Sequence, residues 1–319
     1  MSASSGPAAG AARGIIGLSP ASVKPRRRRV KPDTLKAIIA VSPSLVAVGV
    51  FIYAFIAWTG YISLSKWNDV RPNYTFAGLT NYIKLFNTDR FLIDIHNTIV
   101  FTVLFLASCL IIGFVLAVLL DQKIKGEVIF RTIFLLPFAV SLIATGVAWR
   151  WLESPNSGLN VLFKIVGLGF LQSRWFSDPN IGIAAVVLPA TWQLSGYVMA
   201  LYLAGLRSIP SELLEAAAID GADSLQRYRY VVIPLLWPVT ITSLIILGNV
   251  ALKIFDLTSA MTGSGPAFAD DVPAYFMFQA TFQDNNFAEG ASIAILMLIF
   301  SSLLVVPYLV SRARGGGEA

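Results

Sequence analysis

Six long apolar segments restrict the fold of this 319-residue chain more than any other feature. Each is long enough to cross the hydrocarbon core of a bilayer as a helix, which takes about 20 residues. The segments are too long and too continuous for a membrane barrel, whose strands alternate apolar and polar residues. We therefore predict an all-α polytopic membrane protein with six transmembrane helices, at approximately Leu35–Leu64, Ile95–Leu120, Ile129–Trp151, Gly182–Leu206, Leu235–Ile254 and Gly290–Val310.

The composition agrees with this fold class and excludes several kinds of site. Charged residues make up 13% of the chain, whereas a soluble domain has about a quarter. A single cysteine, Cys109, excludes a disulfide framework and a cysteine-rich metal site. With one His and one Cys, the chain lacks the cluster of reactive groups that a membrane-embedded enzyme needs at one membrane depth. We predict no catalytic residue, no metal and no cofactor.

The basic residues predict the orientation of the chain in the membrane. If the amino terminus is inside, sixteen of the 24 Lys and Arg residues fall on the cytoplasmic side, as the positive-inside rule requires. Both termini are then cytoplasmic. This placement accounts for the net charge of +6 without any nucleic-acid partner. We predict a disordered basic tail over residues 1–35, a transmembrane domain over 36–314 and a short tail over 315–319.

A polar interruption, Glu215–Pro238, separates the fourth and fifth apolar segments. The sequence before it is typical of a helix start with Ser211 as N-cap, and Leu213–Ile219 has high helix propensity. Gly221 is predicted to end this helix because glycine adopts the left-handed conformation of a helix C-terminus without strain. The alternative is an ordinary solvated connector.

A second short helix is predicted over Leu225–Val232, and two prolines, Pro234 and Pro238, indicate where the next transmembrane helix begins. The sequence of the interruption therefore predicts two short helices that are joined by a glycine turn and lie flat at the membrane surface. With an inside amino terminus and six spans, it falls in the cytoplasm.

Polar and aromatic side chains within the apolar segments are candidates for contact with a transported solute, because buried polar groups are costly in a membrane. Gln193 and Tyr197 are four residues apart and so share one helical face. Packing and hydrogen bonding between helices is the alternative role for the whole set, and snorkelling to the interface is the alternative for the lysine. The candidates are Trp192, Gln193, Tyr197, Asn249 and Lys253.

The polar interruption resembles the EAA loop of ABC-importer permeases. The matching residues are Glu215-Ala216-Ala217, then Asp220-Gly221-Ala222, then the ending Val231-Val232-Ile233-Pro234, where Val and Ile stand in place of the Ile and Leu that are usual in the family. The resemblance implies that Glu215, Ala216, Ala217, Asp220 and Gly221 dock in a cleft of an ATP-binding subunit.

Weaker signs outside the loop extend the resemblance from about Leu35 to Arg314. In this order and spacing, the chain resembles a maltose-type sugar permease, and the Gly-Leu-x-Asn-Tyr patch is closer to the MalF-like than to the MalG-like subunit. The signs are Ser42-Pro43, Leu64–Trp67, Gly78–Tyr82, Arg131-Thr132, Leu136-Pro137, Gly158-Leu159-Asn160, Phe255-Asp256 and Thr262–Pro266.

The resemblance implies a non-catalytic subunit that forms half of a sugar pathway. The chain has no Gly-x-x-x-x-Gly-Lys-[Ser/Thr] motif, so a partner would supply ATP hydrolysis. The implied partners are a MalG-like permease, two ATP-binding subunits, an extracytoplasmic sugar-binding protein and the lipid bilayer. An ABC permease for a non-sugar solute is the alternative function.

Overall fold

The structure, a computed structural model, describes residues 32–122 and 124–315. Helices account for most of these residues, and the described chain contains one isolated antiparallel bridge, Ser65 to Phe76, and no strand. The predicted tail over residues 1–35 lies almost wholly outside the described residues, as do residues 316–319. The all-α prediction is confirmed. The first seven α-helices are α1 (Pro32–Val48), α2 (Phe55–Ser63), α3 (Thr80–Phe86), α4 (Asp89–Asp121), α5 (Glu127–Leu135), α6 (Leu142–Leu152) and α7 (Gly158–Ile165).

The second half of the chain continues with eight further α-helices among the described residues. They are α8 (Ile183–Arg207), α9 (Ser211–Ile219), α10 (Ser224–Arg227), α11 (Ile233–Leu235), α12 (Trp237–Leu252), α13 (Asp256–Met261), α14 (Pro273–Phe282) and α15 (Phe287–Gly315). Two π-helical segments, Gly49–Ala54 and Tyr228–Val232, and four 3₁₀ turns, Leu136–Ala139, Gly169–Leu171, Trp175–Ser177 and Pro266–Phe268, complete the list.

The chain divides into two compact units, residues 1–52 and 53–319. In the first unit, the described part is α1 and the start of the first π-helical segment. In α1, Pro43 lies inside the helix and the Ser42 hydroxyl donates to the carbonyl oxygen of Ile39 at 2.9 Å. The second unit holds the hydrophobic core and every other element.

Four helices in the described part of the chain are long and apolar enough to cross a membrane, and the number rises to six if each of two bent helix pairs is one span. The prediction of six spans is therefore plausible. The four are Ile39–Ser63, Asp89–Asp121, Ile183–Arg207 and Phe287–Pro307.

The two bent pairs lie at the predicted third span and at the start of the predicted fifth span, and the bends themselves were not predicted. Glu127–Ala139 and Leu142–Leu152 meet at 98°, and Ser224–Leu235 and Trp237–Leu252 meet at 61°. Proline explains both positions, since it removes a backbone donor and clashes with the preceding turn. Pro137 lies in the 3₁₀ turn just before the first break, and Pro238 lies in the first turn of the helix after the second break.

The core of the second unit forms around α8, of whose candidate span 72% is buried. Its main neighbour is α4, and the two backbones approach closely where α4 has a glycine. A Cβ at Gly113 would lie 2.6 Å from Cγ1 of Val198. Phe101, Phe105 and Cys109 of α4 are fully buried in the same cluster. Cys109 is thus a small, free side chain of the core.

The glycine-containing patch Gly78–Tyr82 holds the segment that follows α2. The Asn81 amide donates to the carbonyl oxygens of Ser63 at 2.9 Å and Ser65 at 2.8 Å, and the Tyr82 hydroxyl donates to the Ser63 hydroxyl at 2.7 Å. Asn81 is buried, so these bonds replace the water that its amide loses. The patch therefore has a structural role at the end of the first span.

Candidate functional site

The polar interruption folds as two short helices around a glycine, as predicted. We call Ser211–Arg227 the elbow. The first helix, α9, ends where Gly221 adopts φ = +85°. The Gly221 N–H donates to the carbonyl oxygen of Ala218 at 3.1 Å, and the Ala222 N–H donates to that of Ala217 at 3.0 Å. This pair of bonds is a Schellman motif, which satisfies the last carbonyls of the helix and requires a left-handed residue at Gly221.

The start of α9 differs from the prediction. Ser211 is the first helical residue, Pro210 precedes it as the N-cap residue, and no side chain caps the helix. The prediction of Ser211 as N-cap is therefore wrong by one position. Pro210 has φ = −59° and ψ = 133°, so its fixed φ already suits the residue before a helix.

The second helix of the elbow has a capping box that sequence reasoning missed. The Gln226 N–H donates to Oδ1 of Asp223 at 2.7 Å, and the Asp223 N–H donates to Oε1 of Gln226 at 2.9 Å. The spacing Asp-x-x-Gln is the signal that indicates such a box. These bonds fix the direction in which the chain leaves Gly221.

The predicted coupling residues lie together on the surface of the elbow. Glu215, Ala216, Asp220 and Gly221 are exposed, and Ala217 is half-buried. Ile219 is 86% exposed at the end of α9 and Leu225 is 77% exposed in α10. The elbow thus presents two large apolar side chains together with small residues that allow close approach.

An arginine at the end of α8 connects the base of the elbow to two other helices. An Nη atom of Arg207 lies 2.7 Å from Oε1 of Glu127, and Nε lies 3.6 Å from Oδ1 of Asp121. All three side chains are partly exposed, so the pairs contribute little to stability, about 0–1 kcal/mol each. Their geometry joins the end of α4, the start of α5 and the end of α8 within four residues of the elbow.

Two of the candidate solute-contact residues meet at the break between α5 and α6. The Gln193 amide donates to the carbonyl oxygen of Val140 at 2.6 Å, while its Oε1 is buried without a partner. The Tyr197 ring stacks on Phe138 with centroids 4.9 Å apart. At its bend, the third span therefore contacts one face of α8 through a backbone carbonyl group and an aromatic ring.

Trp192 lies beside this pair, and the two other candidates do not. Trp192 is 44% exposed and its ring lies 5.9 Å from that of Trp149. Asn249 and Lys253 belong to the end of α12, and Lys253 lines a separate groove with Met277 and Ser301. Trp192, Gln193 and Tyr197 are called the Trp192 group below. Among the described residues, no hydrogen bond joins Asn249 or Lys253 to this group. The structure brings together three of the five candidates.

A charged cluster that sequence reasoning missed lies between the start of α4 and the segment before α14. Arg90 Nε lies 2.7 Å from Oδ2 of the fully buried Asp271, and its guanidinium lies 4.1 Å from the centre of the Phe276 ring. The Asn97 amide donates to the carbonyl oxygens of Phe268 and Asp271, both at 2.9 Å. Burial raises the pKa of Asp271, and the contact with Arg90 opposes this effect. The sequence signal that pointed to this cluster was a charged residue, Arg90, near the end of a predicted span.

Two further buried carboxyl groups, Glu153 and Asp270, lie close enough to interact. Both residues are fully buried, and their four carboxyl oxygens have no hydrogen-bond partner among the described residues. Burial, reinforced by Asp270, raises the pKa of Glu153 to about 8. Burial, reinforced by Asp271, raises the pKa of Asp270 to about 7. Each group is thus in a region that favours its neutral form.

Comparison with known proteins adds to this geometry. Residues 110–314 match the family described as "Binding-protein-dependent transport system inner membrane component". The chain is 41% identical, over 90% of its length and 99% of the relative's, to a probable ABC transporter permease protein of Pyrococcus horikoshii. It is 31% identical, over 86% and 93%, to the trehalose/maltose transport system permease protein MalF of Thermococcus litoralis.

Similarity extends to a relative named for another solute and to a solved structure. The chain is 31% identical, over 85% of its length and 92% of the relative's, to the sn-glycerol-3-phosphate transport system permease protein UgpA of Yersinia enterocolitica. The fold matches the crystal structure of a bacterial ABC transporter involved in the import of the acidic polysaccharide alginate, with a TM-score of 0.75 and 19% identity, over 89% of this chain and 97% of that one.

Proposed function

This chain belongs to the family of binding-protein-dependent transport system inner membrane components, and on that premise we propose that it is the permease subunit of an ATP-driven sugar importer that couples to a separate ATPase through its elbow. The observation that carries the proposal is the elbow itself, because its predicted coupling residues are exposed and its turn is fixed by backbone hydrogen bonds. The membrane permease role follows from the family. The solute, the partners and the residue roles are the proposed parts.

The chemistry of the elbow fits docking into a cleft of a second protein. Ala216 and Ala217 permit close backbone approach, while the exposed Ile219 and Leu225 offer apolar area that a partner would remove from water. Glu215 is exposed and positioned to pair with a cationic side chain of that cleft. The Schellman motif and the capping box hold both short helices in one relative direction.

Force on the elbow has a direct route to the membrane helices. Arg207 is four residues from Ser211, and it contacts both Asp121 and Glu127. A displacement of the elbow therefore acts on α8 and, through this arginine, on the end of α4 and the start of α5. The same α5 leads into the break at which Gln193 and Tyr197 lie.

The proposed solute contacts are the polar and aromatic groups around that break. Trp192 and Tyr197 offer aromatic faces, and Gln193 has a buried amide oxygen without a partner. Sugars pair with aromatic faces and amide groups, so this set suits a sugar. Asn249 and Lys253 are retained as proposed pathway residues on the strength of their position in the fifth span only.

A non-sugar solute is the second candidate, and the glycerol phosphate relative favours it. Trehalose and maltose in the name of the Thermococcus relative, and the fold shared with the alginate transporter, support a sugar. A phosphate-bearing solute needs cationic partners, and the Trp192 group contains none. On this ground the sugar is preferred.

The proposed assembly contains a MalG-like permease, two ATP-binding subunits and an extracytoplasmic sugar-binding protein. The family description itself states dependence on a binding protein. We place the elbow and both termini in the cytoplasm, where ATP is available, because sixteen of the 24 basic residues then lie inside. The permease domain comprises residues 36–314.

Site-directed cross-linking tests the docking surface. In the cysteine-free background Cys109→Ala, Ala216→Cys labelled with a thiol-specific photo-cross-linker, such as benzophenone maleimide, is expected to cross-link to the copurified ATP-binding subunit. Leu168→Cys, on the outer segment after α7, is the matched control and should not cross-link to that subunit. Uptake of radiolabelled maltose and of glycerol 3-phosphate into vesicles, with the binding protein present, separates the two solutes. Efficient cross-linking of Leu168→Cys but not Ala216→Cys would refute the proposal.

A further inference from the structure

A groove beside the elbow has the walls of an acyl-chain site and one cation at its edge. It has a volume of about 560 Å³. One wall comes from the last two turns of α4, and the other from α10 through α11. Its lining includes Phe114, Val115, Val118 and Leu119 on the first wall and Leu225, Tyr228, Arg229 and Ile233 on the second.

The apolar wall lies near the membrane surface. Asp121 ends the candidate span Asp89–Asp121, and Phe114–Leu119 are two to seven residues before it. At 1.5 Å per residue these side chains lie within about 10 Å of that end of the span. Val115 is 49% exposed and Leu119 is 50% exposed. This depth is where the upper part of a lipid acyl chain lies.

The proposed docking of the elbow does not involve Arg229. This arginine is exposed, and among the described residues it forms no salt bridge. Its guanidinium lies 5.6 Å from the centre of the neighbouring Tyr230 ring. The nearby Arg227, in contrast, has an Nη donating to the Ser224 hydroxyl at 3.1 Å. A guanidinium at a membrane surface suits a phosphate, which it can bind through two parallel hydrogen bonds.

We propose that this groove binds one anionic phospholipid, with an acyl chain along Val115 and Leu119 and the phosphate on Arg229. Charge complementarity decides the occupant, since basic pockets between transmembrane helices bind anionic headgroups. A free anion would contact only the arginine and would leave the apolar wall uncovered, so it does not account for the groove. The site lies next to α10, so a bound lipid contacts the second helix of the elbow and makes its position sensitive to lipid composition.

Lipid retention measured by native mass spectrometry tests the site. The full-length chain, with the subunits that copurify, is placed in nanodiscs of phosphatidylcholine with phosphatidylglycerol and then released into the gas phase. Wild type is expected to retain one phosphatidylglycerol per permease chain. Arg229→Gln should weaken retention about tenfold, the effect of removing a charge-assisted hydrogen-bonded pair.

Two further variants make the outcome specific. Arg150→Gln removes an exposed arginine at the end of α6 and should leave retention unchanged. Val115→Trp fills the groove while leaving Arg229 in place, and should also lose the lipid. Equal retention by wild type, Arg229→Gln and Val115→Trp would show annular lipid only and overturn the proposal. Absence of lipid from wild type, with Leu119→Cys on the α4 wall cross-linking to a copurified subunit in the Cys109→Ala background, would overturn it in favour of a protein occupant.

Discussion

Glu153 and Asp270 are placed so that their ionised forms are unfavourable in the folded protein. The structure raises the pKa of Glu153 from 4.5 to about 8 and that of Asp270 from 3.8 to about 7. A raised carboxyl pKa means that the folded state binds protons that the unfolded state has released. The contribution of these groups to stability is therefore greatest at acid pH and falls as pH rises from about 4 to 8, by at most about 1.4 kcal/mol per pH unit for each group.

Glu153→Gln is expected to remove part of this dependence. At pH 8 the variant should have a Tm about 2–4 °C above wild type, because a neutral amide replaces a buried acid. At pH 5 the gain should be absent. Thermal unfolding of the detergent-solubilised protein, followed by intrinsic fluorescence across this pH range, is the measurement.

Asp256→Asn is the control for this experiment, since Asp256 is exposed at the start of α13. It should unfold with the same pH profile as wild type. If Glu153→Gln and wild type show parallel profiles, the carboxyl group is not responsible for the pH dependence.

Arg90 is expected to be essential for the charged cluster around Asp271. Arg90→Met leaves a buried carboxylate unpaired and should destabilise the protein by about 3–5 kcal/mol. The double variant Arg90→Met/Asp271→Leu should recover much of this loss, because no charge is then left in the cluster's ion pair. Chemical unfolding of wild type, Arg90→Met, Asp271→Leu and the double variant forms a complete cycle, and a double variant no better than Arg90→Met would contradict the assignment.

At the scale of the elements, α8 and the bent third span fit together through a glycine. A Cβ at Gly196 would overlap the carbonyl oxygen of Phe134, and neither backbone can move independently. Gly196→Ala is therefore expected to cost about 1–3 kcal/mol or more, the range for overpacking. Gly60→Ala is the matched control, since its Cβ would lie 3.9 Å from the nearest atom. Size-exclusion profiles and melting temperatures of the two variants should differ accordingly.

The elements also show how far the sequence alone can predict this fold. Hydrophobic length predicted the positions of the spans within several residues, because a bilayer requires that length whatever the packing. The 98° bend between Ala139 and Leu142 was not predicted, although Pro137 lies two residues before it, because the direction of a bend depends on the neighbouring helix that packs against it. That neighbour is α8, with Gly196 against Phe134 and Gln193 bonded to Val140.

The same distinction holds for the candidate site. The elbow could be predicted from local sequence, since a run of alanines, an Asp-Gly pair and two prolines determine a helix, a turn and a second helix. The cluster of Arg90 with Asp271 joins residues 181 positions apart, and no local pattern indicates such a pair. For the same reason Asn249 and Lys253 were grouped with Gln193 from sequence but lie elsewhere in the structure.

For the whole molecule, the central claim is that the elbow transmits the work of an ATPase to the membrane helices. The position that tests it most sharply is Gly221, because its φ of +85° and its N–H bond to Ala218 are both incompatible with proline. A Cβ at this position meets no atom within 4 Å, so substitution acts through the backbone and not through a clash. Gly221→Asn, which tolerates the left-handed conformation, should retain most function.

The most direct measurement is ATP-driven uptake of labelled sugar by proteoliposomes that contain the complete importer with Gly221→Pro. Gly167→Pro is the matched control, because Gly167 has φ = +82°, open space around it and an N–H bonded to the end of α7. We predict normal membrane insertion for both variants, loss of uptake for Gly221→Pro and retained uptake for Gly167→Pro. Wild-type uptake by a well-expressed Gly221→Pro protein would contradict the claim.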